Sequence, residues 1–371
     1  MSLTIDDTTR SELSPYGFDE VLLARFAERA RSTTADDNAV RGRVTPPAPE
    51  DVTPLPAPGT PERARLAELG RAAIREGRVG AVILAGGMAT RFGGVVKAVV
   101  PVFEERSFLE IKVDDVASCA RHAGGAVPLY VMTSFATHAR IEEHVREAEL
   151  DQETAITCFP QLVSLRLTPE GTLFREADGT LSPYATGHGD LTFALRKSGI
   201  LERFRKAGGQ LLCMSNVDNL GASLDPAILG QHLASGAKIT AEVVKKDPGD
   251  KGGAPARVDD LPQIVEAFRF PKDFDQDAIP VFNTNTFVLD AEAIDRDFEL
   301  PFYRVEKKVE GRTAIQFERL VGELTAFLPS AFALVERDGL EGRFQPAKDP
   351  EELARRLSNI IAIAKSERWR R

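Results

Sequence analysis

Residues 79–97 read VGAVILAGGMATRFGGVVK. The first seven, VGAVILA, are short, apolar and β-branched, the pattern of a strand buried on both faces. That strand runs straight into Gly86 and Gly87, which lack a Cβ and let backbone N–H groups approach a phosphate closely. Arg91 and Lys97 supply cations to the same place. Two familiar phosphate loops fail on spacing. A Walker loop needs Gly-Lys-Ser/Thr opening a helix, whereas Lys97 follows Val96 and precedes Ala98. A G-x-G-x-x-G dinucleotide turn is broken by Met88 and Ala89. What remains is a glycine turn with two cations at the carboxyl end of a buried strand.

Working outward, VPLYVMTS (127–134) and LLCMSNVD (211–218) repeat the buried-strand pattern. Helical segments lie between the strands. The 107–124 stretch has Ser107 as N-cap, Glu110 at the third position and Gly124 as its stop. Segments 136–150 and 190–209 follow the same logic. Strand–helix–strand alternation predicts an α/β fold with a mostly parallel sheet covered on both faces and ligands at the carboxyl ends of the strands. From KITAEVVKK (238–246) to NTNTFVLD (283–290) strands and turns dominate, so a mixed sheet is expected there. Upstream, Phe18, Val21, Leu22 and Phe26 recur at helical spacing. Residues 44–62 are rich in proline, which removes backbone donors and favours an extended linker or strap. A helix should start at Thr60 with Pro61 in its first turn and end near Gly77. The expected organisation is a helical appendage over 1–78 containing the 44–62 linker, a body over 79–348, and a closing helix over 349–371.

Composition narrows the function. The chain has 371 residues, 43% hydrophobic and 28% charged, which excludes a disordered or fibrous protein and suggests two or three folding units. Lys and Arg number 47 against 56 Asp and Glu, a net charge of −9, which argues against a dedicated nucleic-acid binder. No apolar run spans a bilayer and the first residues do not resemble a signal peptide. Three scattered cysteines suit a reduced cytoplasm, and five unclustered histidines give no expectation of a zinc site.

Individual residues suggest a chemistry. Asp218 lies just after a buried strand, at a carboxyl end where sheets of this kind hold ligands or where an aspartate caps the next helix. Gln161 offers a donor and an acceptor on one amide, a pair that can read a polar ring edge or sit on the surface after a proline. His188 stands in a glycine turn that can begin a helix. Asn283 and Asn285 flank Thr284, so in a regular strand their side chains share a face. Lys307 and Lys308, being adjacent, should point to opposite faces.

The 82–97 segment resembles the signature of nucleotidyltransferases that make nucleotide sugars. Further matches follow in order: Phe159-Pro160-Gln161, Gly187-His188-Gly189-Asp190, Ser215 to Ala222 (S-N-V-D-N-L-G-A), Lys251-Gly252-Gly253 with Glu266, Phe282-Asn283-Thr284-Asn285, Lys307 with Ile315-Gln316-Phe317-Glu318, and Arg343 to Lys348. Together they resemble the eukaryote-type UTP–glucose-1-phosphate uridylyltransferases and their UDP-N-acetylglucosamine relatives. The resemblance implies a three-layer nucleotide-diphospho-sugar transferase fold, GT-A-like with a Rossmann-like mixed sheet. It implies transfer from UTP to a sugar-1-phosphate with Mg²⁺ as cofactor. Arg91, Lys97 and Lys307 would be the catalytic cations. Leu84, Ala85, Gly86, Gly87, Gln161, Gly187, Asn216 and Asp218 would surround the nucleotide, Asp218 also holding the metal. His188, Gly252, Glu266, Asn283 and Asn285 would hold the sugar phosphate. Glucose-1-phosphate leads as acceptor, with N-acetylglucosamine-1-phosphate and galactose-1-phosphate open, and a non-catalytic UDP-sugar binder is the rival. Five departures stand out: Ala89 replaces a family glycine, Arg91 sits where the glucose branch more often has a small residue, Ala185-Thr186 replaces Pro-Pro before Gly187, Val305-Glu306 replaces Asn-Pro before Lys307, and no room is left for the family's C-terminal β-helix. A monomer or small homo-oligomer is therefore expected, with neither nucleic-acid nor membrane partners.

Overall fold

The computed structural model describes residues 3–89, 92–247, 249–250 and 252–366, so Arg91 and Lys251 of the motifs above lie outside the described residues. Eight strands form the central sheet: β1 (Val52–Pro54), β2 (Val79–Leu84), β3 (Leu129–Thr133), β4 (Ile156–Pro160), β5 (Leu211–Asn216), β6 (Ile239–Lys245), β7 (Val281–Asp290) and β8 (Ser330–Leu334). Their order is β1-β8-β6-β7-β5-β2-β3-β4. β7 pairs antiparallel with β5 and β6, and every other neighbouring pair is parallel. The chain leaves β2 toward β3 and β4 on one side and returns to β5 on the other. The carboxyl ends of β2 and β5 thus flank a topological switch point, where sheets of this kind place their ligands.

All six β2 residues are buried. Ala81 and Ile83 join a cluster with Leu109, Val113 and Val116 of the Phe108–Ala123 helix, while Val82 and Leu84 join Leu195, Leu201 and Phe204. Alternate residues of one strand therefore feed two cores, which gives the three layers the alternation predicts. Capping also follows expectation. Ser107 Oγ accepts the Glu110 N–H at 3.2 Å, and Gly124 ends the helix at φ 76°. The Pro61–Arg75 and Pro350–Lys365 helices begin at Thr60 and Asp349 caps.

Two expectations change. The single helix read over 190–209 is two, Leu191–Lys197 and Ile200–Lys206, because Gly199 adopts a left-handed φ of 69° between them. The helix read from Phe18 to Phe26 spans Glu20–Ser32, after a first helix over Asp7–Leu13; Asp19 caps it and it buries Leu23, Phe26, Ala27 and Ala30. Val21, assigned to the apolar face, is 64% exposed. The inward stripe at i, i+3, i+4 and i+7 starts at Leu23 rather than at Phe18.

The Glu20–Ser32 helix packs into a cluster with Val163, Leu165, Ile315 and Phe317. Within the proline-rich segment, β1 extends the sheet edge and Val44–Thr45 pairs with the Ala254–Val258 strand. Among the described residues no helix is long and apolar enough to cross a membrane.

Candidate active site

Where β2 ends, neighbouring segments pin the glycine turn. The Ala85 N–H donates to the Met132 carbonyl at 2.8 Å, Thr137 Oγ1 donates to the Ala85 carbonyl at 3.2 Å, and Ser134 Oγ donates to the Gly86 carbonyl at 2.9 Å. Ala85 is buried behind the turn, while Leu84, Gly86 and Gly87 line a cleft of about 330 Å³. Gln161, past the end of β4, hangs from the Thr133 carbonyl by its N–H at 2.9 Å. A Cβ built on Gly86 would lie 2.1 Å from Gln161 Nε2. Glycine is needed at 86 because only a bare backbone lets that amide rest on the turn.

Beyond Gly87 the chain doubles back through a hairpin, Met88–Ala89 against Val95–Val96, with Gly93 and Gly94 at φ 88° and 81°. The hairpin returns Lys97 to the cleft, where Nζ donates to Asp218 Oδ2 at 2.7 Å and to the Ala347 carbonyl at 3.2 Å. Asp218 sits two residues past β5. Its loop is fixed on several sides. The Val217 N–H donates to the Leu84 carbonyl at 3.1 Å and the Ala347 N–H to the Asp218 carbonyl at 3.2 Å. Asn219 donates to the Arg343 carbonyl at 3.1 Å and accepts the Gln345 N–H at 2.8 Å. The 343–348 segment therefore serves as a buttress for the loop that carries Asp218.

Gly187 and His188 also line the cleft. Gly187 has φ 100°, and a Cβ there would lie 2.4 Å from the Arg319 carbonyl oxygen, so backbone meets backbone at this point. His188 Nδ1 accepts the Val321 N–H at 3.1 Å, and burial lowers the ring to about 4. It is neutral at physiological pH with its proton on Nε2, a donor that needs no protonation step.

The remaining candidates separate into two groups. Lys307, on the Tyr303–Val309 strand, is half exposed and places Nζ 3.8 Å from Oε1 of Glu318, which lines the cleft. Lys308 donates to Thr313 Oγ1 on the paired strand at 2.8 Å. Gly252, Glu266 and Asn283 gather beside the cleft rather than in its lining: the Asn283 N–H donates to the Gly253 carbonyl at 2.7 Å, and a Cβ on Gly253 would lie 2.8 Å from Glu266 Oε1. Asn285 links the second group to the cleft, since its Nδ2 donates to Oδ1 of Asn216, a cleft residue, at 2.9 Å. Simple alternation does not hold between Asn283 and Asn285. The β6–β7 register shifts here, Asn285 has φ 58°, and its N–H donates to Asn283 Oδ1 at 3.1 Å.

Among the described residues no group of three or more His, Cys, Asp and Glu is arranged to cage a metal. One aspartate beside a glycine turn and a lysine suits Mg²⁺, which keeps several waters and takes oxygens from substrate phosphates. Asp218 would be the residue to hold such an ion.

Glu266 carries a stability prediction. Burial and the charge of Glu323 push its carboxyl up to about 7, against the pull of Arg269 and of a Gly253 backbone hydrogen bond. From 4.5, its ordinary value, to about 7 the folded protein binds more protons than the unfolded chain, so this group's contribution to stability falls as pH rises. Glu266→Gln should melt near wild type at about pH 5 and gain on it steadily toward pH 8. Melting curves at several pH values check this, and an offset that does not vary with pH would contradict it.

Sequence reasoning left two residues unassigned. Lys112 is 2% exposed; its Nζ donates to Ser215 Oγ at 3.1 Å and the Ala222 carbonyl at 2.6 Å, clamping both ends of the Asp218 loop. Its signal was a lysine on the apolar stripe set by Leu109, Val113 and Val116. Glu318 was quoted only as part of a motif.

The model of the family described as UTP–glucose-1-phosphate uridylyltransferase matches residues 26–369. The chain is similar to UTP–glucose-1-phosphate uridylyltransferase 2 of Dictyostelium discoideum, 29% identical over 305 residues, covering 76% of this chain and 59% of the relative. It is also similar to UTP–glucose-1-phosphate uridylyltransferase of Saccharomyces cerevisiae, 28% identical over 298 residues, with coverage of 76% and 59%. The chain thus spans about three-fifths of the length of these curated relatives. In fold it resembles the uridine diphosphate N-acetylglucosamine pyrophosphorylase of Trypanosoma brucei, with a TM-score of 0.76 at 19% identity, covering 94% of this chain and 79% of that one. A mutant UDP-glucose pyrophosphorylase from Leishmania major in complex with UDP-glucose gives a TM-score of 0.68 at 21% identity, covering 90% and 73%.

Proposed function

Because the chain belongs to the UTP–glucose-1-phosphate uridylyltransferase family, we propose that it joins UTP and glucose-1-phosphate into UDP-glucose and pyrophosphate. The observation that carries this reading is a convergence at one strand switch point. A glycine turn bearing the Gln161 amide, the Lys97–Asp218 pair and a neutral His188 share one cleft. A sugar-phosphate oxygen attacks the α-phosphorus, and the bond to the bridging oxygen of the leaving pyrophosphate breaks. That nucleophile is already anionic near neutral pH, so the task is to hold two polyanions together and neutralise developing charge. Gln161 reads the uracil with one donor and one acceptor. The Gly86 and Gly87 backbone admits the phosphates, Lys97 balances their charge, and His188 Nε2–H donates to a phosphate oxygen. A Mg²⁺ ion on Asp218 would polarise the α-phosphate when bound. The Gly252, Glu266, Asn283 and Asn285 group would take the sugar hydroxyls. The three cysteines are unpaired, which accords with work in a reducing cytoplasm.

Mass spectrometry of the product tests the assignment. Incubation with equal concentrations of glucose-, galactose- and N-acetylglucosamine-1-phosphate should give UDP-glucose as the main product; a mixture dominated by another UDP-sugar would move the acceptor. The lysine pair gives a second expected outcome. A lysine serving as a point charge on a phosphoryl group contributes about a hundredfold to kcat/KM, whereas a solvated one contributes almost nothing. Lys307→Ala should lose about that factor and Lys308→Ala should stay near wild type. Steady-state kinetics showing the reverse order would transfer the role to Lys308.

A further inference from the structure

Asp190 is absent from the cleft lining, yet its carboxylate ties together three segments that build the wall. It is fully buried, at 0% exposure. Oδ2 accepts the Leu162 N–H at 3.1 Å and the Thr186 hydroxyl at 2.6 Å, and Oδ1 accepts Arg319 Nε at 2.6 Å. Leu162 follows Gln161, Thr186 precedes Gly187, and Arg319 follows Glu318. Every tether is one residue away from a group facing the cleft.

Arg319 is itself immobilised. Its Cζ lies 3.8 Å from the Phe193 ring centroid and 4.6 Å from that of Phe302. Its N–H donates to the Thr186 carbonyl at 3.0 Å, and its carbonyl accepts the Gly189 N–H at 2.9 Å. A guanidinium between two aromatic faces cannot swing toward water without losing those contacts. A buried ion pair is a weak source of net stability, and its best-attested use is to specify one geometry among several.

We infer that Asp190, acting through Leu162, Thr186 and Arg319, is the positioning residue that sets the relative placement of Gln161, Gly187 and Glu318 and so fixes which base the cleft accepts. This inference rests on the reading of the cleft as a UTP site. An amide cannot replace the carboxylate, because it presents one acceptor oxygen and an NH₂ to three converging donors. At least one tether is lost, and the Gln161 amide loses its register against the turn.

The test uses the full chain carrying Asp190→Asn together with Arg319→Gln, which removes both charges and leaves no orphaned ion in the interior. Kinetics with UTP and CTP at saturating glucose-1-phosphate should show the UTP:CTP ratio of kcat/KM falling at least about tenfold through a higher KM for UTP. The kcat with UTP and the KM for glucose-1-phosphate should stay within about threefold of wild type. Thr186→Val removes one tether and keeps the ion pair; it should fold and shift the same ratio about threefold. A wild-type UTP:CTP ratio in both variants would overturn the inference, as would a parallel loss in every kinetic constant, the mark of a merely structural role. Wild-type protein that does not prefer UTP would instead overturn the UTP reading itself, and this is seen before any variant is made.

Discussion

Asp218→Asn is expected to lower kcat/KM for pyrophosphate formation by about 10³, the scale of the several kcal/mol that a hard anionic ligand supports at a transferring phosphoryl group. The substitution keeps the side chain's shape and removes its charge. The loop should stay in place, since its anchors are independent of that carboxylate: the Val217 N–H on Leu84, the Ala347 N–H on the Asp218 carbonyl, and the Lys112 clamp. The Lys97–Asp218 pair is partly exposed, with side chains 15% and 18% accessible, so melting should change little. UTP affinity measured by calorimetry without divalent metal should stay within about threefold of wild type, because the base and glycine turn contacts remain. Unimpaired turnover in this variant would remove Asp218 from the mechanism.

Gly86→Ala should be comparably severe and fail differently. The added methyl would sit 2.1 Å from Gln161 Nε2, so the amide must leave the turn. Gln161 lines the cleft, so its flexible amide end has space to leave the turn while its backbone N–H stays tied to Thr133. A base site that loses its polar partners loses discrimination on the scale of 10³ to 10⁴, so kcat/KM for UTP should fall about 10³ and preference over CTP should shrink to roughly tenfold or less. The melting temperature should remain near wild type, since the displaced atom is the end of a side chain. Retained UTP preference would mean that the Gln161–Gly86 contact does not read the base.

Legibility from sequence followed how local the determinants were. β2 and its glycine turn were readable because burial, β-branching and the missing Cβ are written in consecutive residues. The Thr60 and Ser107 caps were readable for the same reason. The break at Gly199 was misread because glycine inside an apolar-periodic run has no fixed conformation until its neighbours pack. The bulge at Asn285 was misread because it depends on the register with β6, which no local pattern contains. Lys97 and Asp218, 121 positions apart, were assigned to one cleft on family motifs, and their ion pair follows from β2 and β5 being neighbours. Lys112 and Asp190 act through hydrogen bonds to segments far from them in sequence. A lysine on an apolar helix face and an aspartate after Gly-His-Gly are visible in one dimension, but their partners are not.

The catalytic expectations above all depend on the proposed transfer from UTP to a sugar phosphate in this cleft. The most direct test measures pyrophosphate released by the purified chain from UTP, Mg²⁺ and glucose-1-phosphate, with ATP and CTP in parallel reactions. Pyrophosphate and UDP-glucose should appear in equal amounts, dependent on both substrates, with little release from ATP or CTP. UTP binding without pyrophosphate release from any sugar-1-phosphate would contradict it and leave a protein that binds nucleotide sugars without making them.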